Sequence, residues 1–521
     1  MLTRRNGLYL LAACFAPSFV KAGPDFSQTK ENRPILRIAV QGLPASLEPL
    51  DAISNVGLRP ITCLFDRPLR RDFAAEALNP GRSAVVPELA TSLKRIDPLV
   101  WELELRPNVK LHDGTIFSAA DLIATFSPER IGKATPYPEG RVLFGHIDGV
   151  ERIDDLNVRF HTKTPDVIMD QRLAAYGSWV IGAKALSEIG LDGLRTKPVG
   201  TGPYKIAAFS RDRRLILDSH DDYWMGKPAA CQVRIDVVPE AATRVAGLIS
   251  GEYEIVTNLL PDQVPQFKGY EDIEVISVPL DLVHMLYFDT RRPNVSDPRV
   301  RTALNCAIDY EALGRAIWGP TFNRPNGLQT PAFGELYEPN RRFFAYDPNK
   351  AKRLLAEAGY KGEEITFRLA SGYYVGSDDA AQIIQAMWNK VGIKMRLELV
   401  ESRTKAAEAG ADVYMTSAAF RFPDPLGGGA IVAFGPDSGI QKAGFWTPKT
   451  DYNAKAAALQ QARDPAERRH LFQHLLDLFE REAPATILYA ANEIYAKRKS
   501  VRFTHYPLYY LDLRPYNFSF S

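Results

Sequence analysis

Residues 347–400 restrict the possible fold more than any other stretch of the chain. "DPNKAKRLLAEAGY" reads as a helix, opened by Asp347 and Pro348 and stopped by Gly359. "EITFRLAS" (364–371) follows as a strand, "DDAAQIIQAMWNKVGI" returns as an amphipathic helix, and "KMRLELV" (394–400) closes as a second strand. A strand, a helix and a strand in that succession predict two parallel neighbours with the helix laid across one face. The chain is therefore expected to be an α/β protein.

Other segments extend the pattern. "ILRIAV" (Ile35–Val40) and "VWELELRPNVKL" (100–111) read as strands, the second alternating sides at Trp101, Leu103 and Leu105. In "SAADLIATF" (118–126), Ser118 is placed to cap a helix. "DPAERRHLFQHLLDLFEREA" predicts a long amphipathic helix and "TILYAANEIYAKR" a strand after it. The aromatic-rich "YPLYYLDLRPYNF" is expected to fold back onto another part of the molecule.

The first 22 residues read as an export signal. Arg4 and Arg5 precede an apolar run over 7–20, and Val20-Lys21-Ala22 offers a small-x-small cleavage site. Leu11-Ala12-Ala13-Cys14 is a rival lipoprotein-type site, with Cys14 as the lipidated end. Either cut exports the protein to the periplasm. Without the signal the formal charge of +2 turns slightly negative, because Arg4, Arg5 and Lys21 leave and no acid does. That balance argues against nucleic acid or a membrane surface as partner. No later stretch approaches about twenty apolar residues. Cys63, Cys231 and Cys306 are too few and too far apart for a disulfide framework or a zinc site.

Motifs for catalysis are missing. The sequence holds no Gly-x-Ser-x-Gly elbow and no His-Glu-x-x-His. Gly200-Thr201-Gly202-Pro203-Tyr204 lacks the Lys-Ser/Thr ending of a phosphate loop and is read as structural. His470 and His474 stand one helical turn apart, but charged neighbours suggest a solvated face rather than a metal site. No enzyme activity, cofactor or metal is expected; an exported hydrolase remains an alternative.

Five ordered stretches carry a family resemblance. They are "VVPELATSLKRIDPLVWELELRPNVKLHDGTIFSAADLIATF" (85–126), "KPVGTGPYKI" (197–206), "GLISGEYEI" (247–255), "SDPRVRTALNCAIDYEAL" (296–313) and "YDPNKAKRLLAEAGY" (346–360). Together they resemble the family 5 solute-binding proteins of ABC importers, which include oligopeptide, dipeptide, nickel and opine receptors. The resemblance implies a two-lobed α/β fold of the periplasmic-binding-protein type that closes on a small ligand and delivers it to a membrane permease. It also implies a discontinuous first lobe (23–64, 196–287 and 491–521), a subdomain inserted in it (65–195) and a second lobe (288–490). A monomer is expected. Within the family the chain looks most like opine receptors, in particular those for agrocinopines, which are sugar phosphodiesters.

The resemblance also directs attention to "AAFRFPDPLGGG" (418–429). Peptide receptors of the family carry an aspartate three residues before an acidic-Pro pair, where it anchors the ligand's ammonium group. Here the pair is Asp424-Pro425, and the position three earlier is Arg421. A guanidinium there would repel an ammonium and suit a carboxylate or phosphate. A peptide ligand then remains an alternative only if its carboxylate meets Arg421. Phe420 and Phe422 are read as packing or stacking residues, and Gly427, Gly428 and Gly429 as offering backbone amides. Family geometry adds Asn258, His284, Ser178, Trp179, Tyr373, Tyr374, Trp446, Asn55 and Arg59 as cleft candidates.

Overall fold

The computed structural model describes residues 33–78, 84–341 and 343–521; the export segment 1–22 and Cys14 lie outside the described residues. The β-α-β unit forms as its sequence dictates. Asp347 caps the helix Pro348–Glu357, its carboxylate accepting from the Lys350 amide at 2.8 Å. Ile365–Ala370 and Met395–Val400 pair in parallel, Ile365 opposite Met395, with the helix Ser377–Lys390 between them in the chain.

These strands belong to one ten-stranded sheet that spans the molecule. Its middle is a pair of long strands, Ile273–Phe288 with 16 residues and Ala485–Arg498 with 14. They run antiparallel. Ile273 to Pro279 pair with Asn492 to Arg498, and Val283 to Tyr287 pair with Ala485 to Ala490. The register shifts between Pro279 and Val283. Beyond this pair on one side lie Val413–Ala419, Ile365–Ala370 and Met395–Val400; on the other lie Ile255–Val256, Ile35–Val40, Gln232–Val237, Arg214–Ser219 and Tyr204–Ser210. It shifts again between His284 and Met285; one sheet thus runs through the whole molecule.

A separate four-stranded antiparallel sheet lies between residues 90 and 162, in the order Ala90–Asp97, Val100–Leu105, Asn157–Thr162, Ile147–Arg152. The strand expected over 100–111 stops at Leu105. Pro107 follows, which has no N–H for a ladder, and Asn108 takes a positive φ of 59°. Ser118 caps Ala119–Thr125 in a reciprocal box with Asp121. The apolar interior of this subdomain, including Phe126, Phe144 and Phe160, runs without a break into that of the second lobe, including Phe333, Phe420 and Phe434. The aromatic C-terminal segment folds back as expected, burying Tyr509 and Tyr510. Cys63, Cys231 and Cys306 are buried.

Candidate functional site

The strand Val413–Ala419 ends at the seam between the second lobe and the inserted subdomain, and the chain there is tied down residue by residue. The Phe420 amide donates to the Asp281 carbonyl at 2.8 Å, and the Arg421 amide to the Gly427 carbonyl at 2.8 Å. Asp424 caps the short turn Pro425–Gly427 and accepts from Nη2 of Arg468 at 2.6 Å. Its role is structural.

Arg421 points across the seam. Its Nη1 donates to the Ala419 carbonyl at 2.7 Å, which fixes the fork. Nε and Nη2 donate to the two carboxylate oxygens of Glu139, at 3.2 and 2.5 Å. The guanidinium carbon lies 5.7 Å from the centre of the Tyr176 ring. Only 12% of the Arg421 side chain is exposed. Burial works against its charge, but Glu139 and Tyr176 outweigh burial and hold its pKa above the ordinary arginine range. The expected reversal of charge at this position is therefore locally balanced by an acid. Neither Glu139 nor Tyr176 carries a signal in the sequence, because Glu139 is 282 residues from its partner and sits in no motif.

Two cavities flank this segment. One, of about 340 Å³, is walled by Glu139, Arg421, Tyr287, Tyr414, Thr416 and Ser417. The other, of about 470 Å³, lies between Arg71, Phe73 and Asp281 on one side and Asn326, Phe420 and Pro423 on the other. Each is thus lined by residues far apart in the chain, the larger by Arg71, Asp281 and Phe420 together.

The remaining candidates divide. Phe420 lines the larger cavity and packs edge-on to Phe333. Phe422 is buried beneath the Arg172 guanidinium, away from both cavities. Gly427 and Gly428 are packing glycines and not an anion cradle. Their amides donate to the carbonyls of Asp424 and Pro425, and a Cβ would strike the Phe422 ring at 2.6 Å or the Phe333 ring at 2.9 Å. Gly429 is likewise filled against Leu328.

Ser178, Trp179 and Trp446 are core residues. The Ser178 hydroxyl serves the Leu173 and Ala175 carbonyls, and Trp179 is enclosed by Tyr176 and Tyr510. Trp446 donates to Oε2 of Glu482 at 2.9 Å and packs edge-on to Phe434 and Tyr452.

His284, within the long strand Ile273–Phe288, packs against Tyr374, which packs edge-on to Tyr373. The His284 ring lies 4.7 Å from Tyr374 and 5.3 Å from Tyr489, with neither ring nitrogen hydrogen-bonded. Burial brings its pKa down to about 3, so it is neutral. Nearby, Nε2 of Gln41 donates to the Gly372 carbonyl at 2.6 Å, joining the two lobes. Arg59 is not free for a ligand: it donates to the Glu493 carboxylate and to the Asn55 carbonyl, and lies over Tyr509. Asn258 holds a left-handed conformation (φ 54°), its carbonyl taken by Arg244 and its side-chain oxygen by Thr257. Among the described residues no cluster could hold a metal ion, and His470 is exposed on its helix.

A two-lobed molecule on one sheet carries two cavities and a buried arginine–carboxylate pair around Arg421. The chain belongs to the bacterial extracellular solute-binding proteins, family 5, whose middle-region model matches residues 84–437. A glutathione-binding protein GsiB of Pectobacterium atrosepticum is 29% identical over 322 residues, a match that spans 60% of each chain. The fold is that of the dipeptide-binding protein of Pseudoalteromonas sp. SM9913 in complex with Met-Leu, at a TM-score of 0.83 and 22% identity over 94% of this chain and all of that one. It is equally that of AgaA from A. tumefaciens R10 in complex with agropinic acid, at a TM-score of 0.79 and 23% identity over 94% and 99% of the two chains. The fold is thus the two-lobed periplasmic-binding-protein type of the peptide receptors.

Proposed function

We propose that the protein is a periplasmic receptor of an ABC importer, capturing a small polar solute with an anionic group between its lobes and handing it to the permease. An opine or sugar phosphate, agrocinopine among them, fits that description. The observation that carries this reading is Arg421: it stands in the interlobe seam, on the wall of a cavity, and its fork already holds a carboxylate in two-point contact. Arginine in such a position suits planar anions. The agropinic acid bound by AgaA lends support to the opine class. The relatives are binding proteins, which supports a role without catalysis. A peptide or peptide-like ligand is the second reading, favoured by the Met-Leu and glutathione of the relatives; its carboxylate would then face Arg421.

Mass spectrometry of solute released from the purified protein tests both readings, followed by calorimetry with agropinic acid, sugar phosphates, dipeptides and glutathione. Arg421→Ala is expected to cost about 2–5 kcal/mol of anion binding, and Arg421→Lys to restore only part. Undiminished binding of the anion by Arg421→Ala removes Arg421 from the site.

A further inference from the structure

The larger cavity, of about 470 Å³, has a charged corner formed by Arg71, Glu76 and Asp281. Asp281 lies where the register between Ile273–Phe288 and Ala485–Arg498 breaks, between Pro279 and Val283. Its backbone is pinned there from two sides. The Asp281 amide donates to the Pro507 carbonyl at 2.7 Å, and its carbonyl accepts from the Phe420 amide at 2.8 Å. We infer that this cavity is a site for an organic cation, an ammonium or guanidinium group on an apolar body, with Asp281 as its anchor. The site is separate from Arg421, which lines the other cavity.

The charges in this corner are unequally matched, two carboxylates to one guanidinium. Arg71 is buried and committed to Glu76: Nε donates to Oε1 at 3.1 Å and Nη2 to Oε2 at 2.7 Å. The Phe73 ring covers its guanidinium, with 4.6 Å between the guanidinium carbon and the ring centre. Asp281 receives only the longer contacts of Arg71, both on Oδ2, at 3.3 and 3.4 Å. A strong charge-assisted bond is shorter, roughly 2.7–2.9 Å. Asp281 keeps 16% of its side chain exposed, and burial raises its pKa against the pull of Arg71. A cation brought to Asp281 supplies the counter-charge that Arg71 gives first to Glu76. The other base on the wall, Arg324, is turned to the Phe343 and Phe344 carbonyls and lies over Tyr310. Phe73, Pro325, Pro331, Phe420 and Pro423 make much of the remaining wall apolar, which suits a hydrocarbon or aromatic body behind the charge. An anion in the same place would meet two carboxylates.

Calorimetric titration of the mature protein with benzylamine, benzyl alcohol and benzoate reads the charge preference. Benzylamine is expected to bind at least about tenfold more tightly than either of the others. Asp281→Asn is expected to remove that preference and Asp281→Glu to keep part of it. Ala77→Trp, at an exposed position on the rim, is expected to weaken benzylamine binding by obstructing the cavity, which locates the site even where Asp281→Asn does not fold. The same cation can come from a free amine or from a basic side chain on a larger solute, so the dipeptide Met-Lys is titrated against Met-Leu. A preference for Met-Lys that Asp281→Asn abolishes assigns the site to a side chain; a preference shown by benzylamine alone assigns it to free amines. A preference that survives both Asp281→Asn and Ala77→Trp overturns the proposal. So does the absence of any preference for the cation in both series.

Discussion

Arg514, in the C-terminal segment, donates from Nε at 3.0 Å and from Nη2 at 2.8 Å to the same carboxylate oxygen of Asp66. Asp66 also accepts from Thr201 Oγ1, the Tyr223 hydroxyl and Trp224 Nε1, at 3.0, 3.0 and 2.9 Å. One buried carboxylate thereby joins the start of the inserted subdomain, the chain just after it and the returning C-terminal tail. Asp66→Asn keeps the shape but removes one of the carboxylates facing Arg514, leaving Asp512 at 2.7 Å. A loss of about 1–3 kcal/mol in urea unfolding is expected, since Arg514 loses one charge-assisted partner and four side-chain donors, Arg514 among them, lose their carboxylate.

Glu493 is enclosed between Arg59 and His505. Burial raises its pKa, but Arg59 and His505 pull it further the other way, to about 2 from an ordinary 4.5. A carboxylate depressed by folding stabilises the folded state above the unfolded pKa and loses that contribution as pH falls through the folded one. Glu493→Gln should melt below the parent at neutral pH, and the gap should narrow between pH 4.5 and pH 2. Thermal unfolding of both proteins across that window checks it.

His284 has the opposite chemistry and the same direction of loss. Its folded pKa, brought by burial to about 3 from 6.5, means that the unfolded chain takes up a proton first as pH falls. Stability is therefore lost progressively below pH 6.5 until the folded protein protonates near pH 3. His284→Phe fills the same aromatic niche without a titrating group. Relative to the parent it should gain up to about 1.4 kcal/mol per pH unit on acidification below 6.5, read from chemical unfolding at pH 7, 6 and 5.

Gly202 has no room for a side chain. A Cβ there would lie 2.4 Å from the Leu64 carbonyl carbon and 2.6 Å from the Phe65 nitrogen, both backbone atoms. Gly202→Ala should destabilise by about 1–3 kcal/mol. Gly439→Ala, where nothing lies within 4 Å of the added atom, serves as the control and should be close to neutral.

Local signals were legible in the sequence and distant ones were not. Ser118 and Asp347 each accept a backbone amide at a helix start, as their sequence positions indicate, because capping depends only on the next few residues. The glycines of 197–206 read as structural, and Gly202 proves to be so for steric reasons. Ser178 and Trp446 looked like ligand residues because hydroxyls and aromatic rings serve a cleft and a core equally well, and burial alone separates the two uses. Arg421 stood out by its departure from a pattern, yet its counter-charge arrives from the other side of the seam. No spacing rule reaches from 139 to 421.

The sheet shared by both lobes has a consequence for how the protein is made. Its central strand Ala485–Arg498 pairs with Ile255–Val256 on one side and with Ile273–Phe288 on the other. Synthesis delivers that strand after all nine of its sheet companions. Until it arrives, both halves of the sheet keep raw edges, open to any other extended chain. Neither half of the sheet gains its full set of neighbours before those fourteen residues are made.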